Sequence, residues 1–386
     1  MPRTTGTYRV SRAGGAGEEA VRAFVPAPLP PADPPLVLDD RLTALHVEAL
    51  TAVGKLGVAG AMVPSAQWFL YGFVRKEAVV SSEIEGTQAT LQDVVTFEAT
   101  KQAERPDDVR EVCNYVDALT FAREEIAGAK GLPLSTRLLC EAHKRLMRGV
   151  RGADKMPGEM RRSQNWIGGT RPGNARFVPP PPEVVPELMA QLEKWLHSDD
   201  ALPPLVKAGL AHVQFETIHP FLDGNGRIGR LLITLLLEHW GLLNSPMLYL
   251  SLALKRHQQQ YYAHLTAMRD DGDWEAWTAF FLECVREAAD DGVRAAERLV
   301  ALLVNDRARL IAHDSVTVPA VRLLDLLPSR PVVTLALAIG WLGVSKPTAI
   351  KAIEALEETG ILKETSGRRR DRVYAYQKYL DVLTGE

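Results

Sequence analysis

Two apolar runs at helical spacing frame one short polar segment, and that arrangement limits this chain more than any other feature. Ala208, Ala211, Phe215 and Ile218 recur before the segment, and Ile228, Leu231, Leu232, Leu235 and Leu236 recur after it. Each set lines one face of a helix. Between them stands His219-Pro220-Phe221-Leu222-Asp223-Gly224-Asn225-Gly226-Arg227-Ile228-Gly229-Arg230. Pro220 keeps the first helix from running straight on. Gly224-Asn225-Gly226 then supplies permissive backbone directly before the second helix. Free N–H groups and the positive end of a helix dipole are thereby aimed at one point, an anion cradle suited to phosphate.

The side chains around the cradle are those a nucleotidyl transfer requires. Arg227 and Arg230 are one helical turn apart, so both reach the same side and can grip phosphate oxygens. Asp223 is an oxygen ligand beside the cradle, where a phosphate-bridged Mg²⁺ sits. His219, with an ordinary pKa of about 6.5, is largely neutral near pH 7 and can take a proton from an attacking hydroxyl. Phe221 has the character of a core anchor for the loop. Singly, each element has a bland reading: a turn, a surface histidine, a solvated pair of arginines. Together they make a candidate site.

Composition excludes several alternatives. The chain has 386 residues, 46% hydrophobic and 24% charged, with a net charge of -3. That is long enough for two or three domains and carries no global pull toward nucleic acid or anionic membrane. Cys113, Cys140 and Cys284 form no CxxC pair, which argues against a disulfide framework or zinc knuckle. They read as small buried hydrophobes. No apolar run is expected to reach the length of a membrane span. The opening Arg3-Thr4-Thr5-Gly6 lacks the pattern of a secretory signal, so the expected location is cytoplasmic.

The rest of the chain reads as mainly helical. Residues 1–36 read as an arm whose Pro26–Pro35 stretch favours extended polyproline geometry. Leu42, Leu45, Leu50 and Val53 predict one helix, and Phe69, Leu70, Phe73 and Val74 another that stops at Glu85-Gly86. Further helices are expected over Val109–Ala127, Ser135–Met147 and Val184–Trp195, with helix continuing to about Val304. Residues 162–178, two strand-like runs around a Gly/Pro/Asn turn, predict a β-hairpin. Beyond Ser315, helices over Thr334–Leu342 and Ser345–Thr359 flank Gly343. Strands over Ile361–Glu364 and Val373–Tyr376 then flank the basic tip Arg368–Arg372, a winged-helix pattern.

The segment 219–230 resembles the signature of the Fic family, His-Pro-Phe-x-Asp/Glu-Gly-Asn-Gly-Arg-x-x-Arg, at every specified position. The resemblance implies a helical Fic core with a small β-hairpin flap, transferring AMP from ATP to a hydroxyl of a target protein. By position, His219 is then the general base and Asp223 the Mg²⁺ ligand. Asn225, with Gly224 and Gly226, holds the α-phosphate, and Arg227 and Arg230 hold the distal phosphates. The hairpin around Ile167, Gly168 and Gly169 resembles the family's flap, which holds the target peptide by strand pairing. Tyr261-Tyr262 falls where related proteins place adenine-contacting groups; the bland reading is plain core.

Val79-Val80-Ser81-Ser82-Glu83-Ile84-Glu85-Gly86 resembles the family's inhibitory motif, Ser/Thr-x-x-x-Glu-Gly/Asn. Ser81 and Glu85 share one helical face and Gly86 ends the helix. The resemblance implies that Glu85 pairs with Arg230 and blocks productive seating of the ATP γ-phosphate. The expected division is a Pro-rich arm (1–36), a helical region with the inhibitory helix (37–105), the Fic core (106–304) and a winged helix-turn-helix domain (315–386). Partners expected are ATP and a hydroxyl-bearing protein, the chain itself among the candidates. DNA through residues 345–376 and a homodimer stay open. The rival readings are a DNA-binding regulator that uses its Fic domain as a sensor, and a Fic enzyme that removes AMP or uses another donor.

Overall fold

The computed structural model describes residues 3–13, 19–62 and 66–385, with the side chains of Ala13, Met62 and residues 66–69 outside that description. The expected apolar contribution of Phe69 therefore lies outside the described residues. In chain order the elements are β1 (Gly6–Ala13), β2 (Glu19–Pro26), α1 (Asp40–Met62), α2 (Ala66–Ile84), α3 (Leu91–Thr100) and α4 (Pro106–Ala127). Next come α5 (Thr136–Leu146), α6 (Val185–Leu196), α7 (Pro204–Ile218), α8 (Asn225–His239), α9 (Leu250–Arg256), α10 (Gln258–Asp271) and α11 (Trp274–Ile311). The last are α12 (Val318–Leu326), β3 (Val332–Thr334), α13 (Leu335–Leu342), α14 (Lys346–Glu358), β4 (Lys363–Glu364), β5 (Val373–Ala375) and α15 (Gln377–Thr384). Helix dominates, and the sheets are small.

The chain divides into two compact units, each built from separated segments. The first holds residues 1–54, 114–244 and 250–288; the second holds 55–113, 245–249 and 289–386.

In the first unit, α7 and α8 form the buried centre. α7 is buried at nearly every position, Lys207 and His212 included. Such a helix has no polar face to give to water, so neighbours must cover it all round. Close approach is allowed by Gly209, where an added Cβ would stand 2.7 Å from the Phe281 ring. The Trp277 indole N–H donates to the Gly209 carbonyl at 3.0 Å, so the buried donor is satisfied.

Several expectations need correction. The segment read as a Pro-rich arm holds a hairpin: β1 and β2 pair antiparallel over their whole length, from Gly6↔Pro26 to Ala13↔Glu19. Alternating Val21 and Ala23 are buried on β2, a period-two signal that the neighbouring prolines masked. The hairpin expected over 162–178 is closed by a single antiparallel bridge, Ile167↔Phe177, with a short 3₁₀ turn at Pro172–Asn174 at its tip. Gly168 and Gly169 take left-handed backbone (φ +70° and +74°), which breaks the ladder beyond that bridge. Cys113 and Cys140 are only half-buried, while Cys284 is buried. Burial pushes the first two thiols up to about 11, so they stay protonated near neutral pH. Residues 40–61 of α1 are, by length and a mean hydropathy of 1.2, long and apolar enough to cross a membrane, contrary to expectation.

In the second unit, α2 packs on α3, the turn after α12 and α15. Gly72 of α2 lets Leu383 of α15 approach, an added Cβ there lying 2.5 Å from Leu383 Cδ1. The Tyr376 hydroxyl donates to the buried Asp306 carboxylate at 2.7 Å. Strand order in the small sheet is β3-β5-β4, antiparallel throughout. The segments expected as α13, α14, β4 and β5 form within a residue or two of their predicted bounds. Expectation lacked β3, too short for a period to show, and α12, whose Thr317 cap accepts from the Ala320 N–H at 3.2 Å.

The tight approach at Gly209 gives a stability test. Gly209→Val forces Phe281 out of its place, and overpacking of this kind costs about 1–3 kcal/mol. A lower urea midpoint is expected, and an unchanged midpoint would show that Phe281 yields freely.

Candidate active site

The signature runs from the last turn of α7 into the first turn of α8, within the first unit. α7 ends where His219 enters the left-handed region, with φ 50° and ψ 61°, and its N–H closes on the Phe215 carbonyl at 2.9 Å. A non-glycine residue holds that conformation only when its surroundings over-determine it. Here Arg161 does so. Its Nε donates to the His219 carbonyl at 2.9 Å, its Nη2 to Pro180 at 2.5 Å, and its backbone N–H to the Pro220 carbonyl at 2.9 Å. Arg161 is 2% exposed, and burial lowers its pKa to about 10, still charged at neutral pH.

The loop 220–224 is held from inside. Asn225 is buried; its Oδ1 accepts from the Phe221 N–H and its Nδ2 donates to the Phe221 carbonyl, both at 2.8 Å. The side chain expected on the α-phosphate is thus engaged twice by the loop's own backbone, which fixes the loop. Asn165, at the base of the flap, adds a donor to the same carbonyl at 3.2 Å.

His143 of α5 completes the clamp. Its ring stacks on Phe221 with centroids 3.9 Å apart and planes 6° from parallel. Gly158 donates its N–H to Nδ1 at 2.9 Å, which leaves Nε2 as the protonated nitrogen that faces the Asp223 carbonyl at 3.0 Å. Burial lowers the His143 pKa to about 4, so the ring stays neutral and this tautomer persists.

Gly224 caps α8 with φ +76°, and Met147 and His143 crowd the side where a Cβ would go. Asp223 Oδ1 accepts from the Gly224 N–H at 2.7 Å, and the carboxylate is 41% exposed. Arg227 is 1% exposed and stands 3.9 Å from Asp223 Oδ1; Arg230 is 3% exposed. Gly229, between them, allows close packing on α7, its missing Cβ lying 2.3 Å from Glu216 Oε1 and 3.2 Å from the His212 ring. So the signature residues 219–230 lie in one stretch from the end of α7 through the first turn of α8, with Arg227 3.9 Å from Asp223.

A Mg²⁺ ion fits this donor set. Among the described residues no three His, Cys, Asp or Glu side chains cluster as a cage. Magnesium needs none, since it keeps several waters and binds through one or two carboxylates plus phosphates. The partly exposed Asp223 is such a carboxylate.

The tyrosine pair separates. Tyr261 is 2% exposed and its hydroxyl meets His212 Nε2 at 2.8 Å, so it belongs to the core; Tyr262 is 40% exposed. Ile167, Gly168 and Gly169 lie on one leg of the flap, partly or fully exposed. In the second unit, α2 ends at Ile84. Ser81 is buried, Glu85 is exposed in the turn just beyond, and Gly86 follows with φ +93°. Expectation lacked His143, Arg161 and Asn165. The first is one histidine on an amphipathic helix, Arg161 directly precedes the flap and Asn165 lies at its base, with no spacing to tie them to the signature.

Residues 133–237 match the Fic/DOC family model and residues 43–124 match the Fic/DOC family N-terminal model. The chain is 29% identical over 212 residues to protein adenylyltransferase Fic of Drosophila erecta, spanning 54% of this chain and 39% of that protein. The corresponding protein of Drosophila grimshawi is also 29% identical over 212 residues, with 54% and 40% covered. The chain thus spans well under half the length of these relatives. Among solved structures, a Fic family protein from Desulfovibrio desulfuricans G20 superposes with a TM-score of 0.57 at 24% identity, covering 89% of this chain and 97% of that one. A Fic domain containing signaling protein from Bacteroides thetaiotaomicron gives 0.53 at 19% identity, covering 65% and 97%. These last two show the fold.

The neutral buried histidines make stability depend on pH. Burial holds the folded-state pKa of His143 at about 4 and of His212 at about 3, below the ordinary 6.5. As pH falls through 6.5 the unfolded chain takes up protons that the folded chain refuses, so stability falls toward pH 4. The urea midpoint of His143→Gln is expected to fall less steeply over that window than that of the unsubstituted chain; parallel slopes would contradict the assignment. With the signature and its clamps in place, this chain carries a Fic/DOC family domain over residues 133–237 and the family's N-terminal region over residues 43–124.

Proposed function

We propose that this chain is a self-inhibited protein adenylyltransferase that moves AMP from ATP to a Ser, Thr or Tyr hydroxyl of a target protein. The observation that carries the reading is the left-handed His219 backbone, locked by Arg161 and followed by a loop that Asn225 in the first turn of α8 holds twice. His219 takes the proton from the target hydroxyl. The hydroxyl oxygen bonds to the α-phosphorus, and the bond to the pyrophosphate leaving group breaks. Free N–H groups at the start of α8 receive the α-phosphate, and Arg227 and Arg230 receive the distal phosphates. Burial of both guanidiniums removes competing water and strengthens those contacts. Mg²⁺, held by Asp223, supplies charge neutralisation between the phosphates when bound. Tyr262, the exposed member of its pair, is the adenine-side candidate.

Glu85 is the brake in this reading, acting through Arg230. A charged hydrogen bond contributes roughly 1.5–3 kcal/mol, a tenfold to hundredfold bias at about 1.4 kcal/mol per decade. Its place in the turn just beyond α2, followed by Gly86 at φ +93°, is where the inhibitory motif puts its glutamate. With α-labelled ATP, Glu85→Gly is expected to raise transfer to protein by at least about tenfold, and Glu85→Gly with His219→Ala to abolish it. Equal labelling of wild type and Glu85→Gly removes the brake. No label in any form, with nucleotide binding intact, favours a sensor or another donor.

The C-terminal elements are read as a winged helix that binds DNA, in a cytoplasmic protein. The order β3, α13, α14, β4, β5 and the exposed Arg368–Arg372 tip between the last two strands support this. A salt-sensitive mobility shift on duplex DNA is expected, and Arg369→Glu with Arg370→Glu should weaken it. No shift at low salt argues for a protein-docking module instead.

A further inference from the structure

β1 is an edge strand, and among the described residues it pairs only with β2. Which backbone groups face its outer side follows from the ladder. Ala27 N–H donates to the Thr5 carbonyl at 2.8 Å, whereas Phe24 turns its N–H away from β1 to the Val178 carbonyl at 3.0 Å. Bonded and non-bonded pairs alternate along an antiparallel ladder. Tyr8↔Phe24 and Val10↔Arg22 are therefore non-bonded pairs, and the N–H and C=O groups of Tyr8 and Val10 point outward.

The same edge carries exposed apolar and basic side chains. Tyr8 is 51% and Val10 77% exposed, and the Arg22 guanidinium lies 4.6 Å over the Tyr8 ring. Arg9 and Arg12 are exposed on β1 itself. Such a row of cations repels a second copy of the strand and attracts an acidic one.

The hairpin is also tied to the signature. Ser11 Oγ donates to Gln164 Oε1 at 2.8 Å, and Gln164 Nε2 donates to the Pro179 carbonyl at 2.8 Å. Its neighbour Asn165 holds Phe221. At the other end, the Glu19 carboxylate accepts from the Gly173 N–H at 2.9 Å and pairs with Arg171 at the flap tip.

We propose that the outer edge of β1 is a docking strand for the target protein, taking up an extended acidic segment by strand addition beside the flap. The inference rests on the transferase reading for what is docked, but not for whether docking occurs. Backbone pairing through Tyr8 and Val10 gives affinity, and the arginines select acidic side chains. Linkage through Gln164, Asn165 and the flap tip then fixes the docked protein relative to His219.

The test is a nucleotide-free anisotropy titration of the full chain. The probes are a short fluorescein-labelled peptide of alternating Glu and Val with one central Thr, and its Lys-for-Glu counterpart. Binding of the acidic peptide alone, falling at high salt, is expected. Val10→Pro deletes one outward N–H and no ladder bond, a position where an edge strand tolerates proline. It should weaken the acidic peptide by at least about tenfold. Arg22→Glu, which leaves the backbone untouched, should narrow or reverse the charge preference even if the proline variant perturbs the hairpin. Equal binding of the two peptides, or Val10→Pro and Arg22→Glu both binding like the unsubstituted chain, overturns the proposal. So does a concentration-dependent dimer abolished by Val10→Pro with no peptide binding, since the occupant is then a second copy. Because no ATP is present, failure of AMP transfer leaves this result unaffected.

Discussion

Everything at the site depends on how a loop with no regular structure is held to one conformation. Phe221 is the fixed point. Asn225 takes both its N–H and its carbonyl, Asn165 takes the carbonyl again, and His143 lies flat on its ring. The Asn225 bonds use buried polar groups that would be costly to leave unpaired. Losing one partner therefore strands another, which makes the loop stiff. The start of α8, which follows directly on that loop, is thereby held to one geometry.

Arg161 does the same for the other side of the signature. Its guanidinium spans the carbonyls of His219 and Pro180, so it joins the end of α7 to the segment that leads out of the flap. Its planar fork serves several acceptors at fixed angles, which a lysine ammonium does not reproduce. The strained His219 backbone and the flap are therefore coupled through one buried cation. The β1–β2 hairpin extends that coupling outward through Gln164 and Glu19.

The second unit has a different logic. α2, whose last turn carries Ser81 and which Glu85 directly follows, packs with α3, the turn between α12 and β3, and α15. The helix expected as a brake thus belongs to the same compact unit as the C-terminal module, while the signature belongs to the other. Gly72 makes that packing close, because any side chain there would meet Leu383.

The amino-acid sequence by itself determined the signature, the two helices around it, the flap's location and most helical segments. Those features rest on local spacing, and local spacing is written along the chain: period 3.6 for helices, glycine where φ is positive, a charge every turn. It also marked Glu85-Gly86 as a helix end. Only the tertiary structure decided which residues support the site. His143, Arg161 and Asn165 lie far from 219–230 in the chain, and their value arises from hydrogen bonds across that separation. Tyr261 and Tyr262 are neighbours in sequence, yet packing against His212 buries one and leaves the other at the surface. The hairpin of β1 and β2 was hidden for a related reason, since strand pairing is a long-range contact and the proline run that begins at Pro26, where β2 ends, suggested an extended arm. Chemistry that needs adjacent residues was legible early; chemistry that needs neighbours in space waited for the fold.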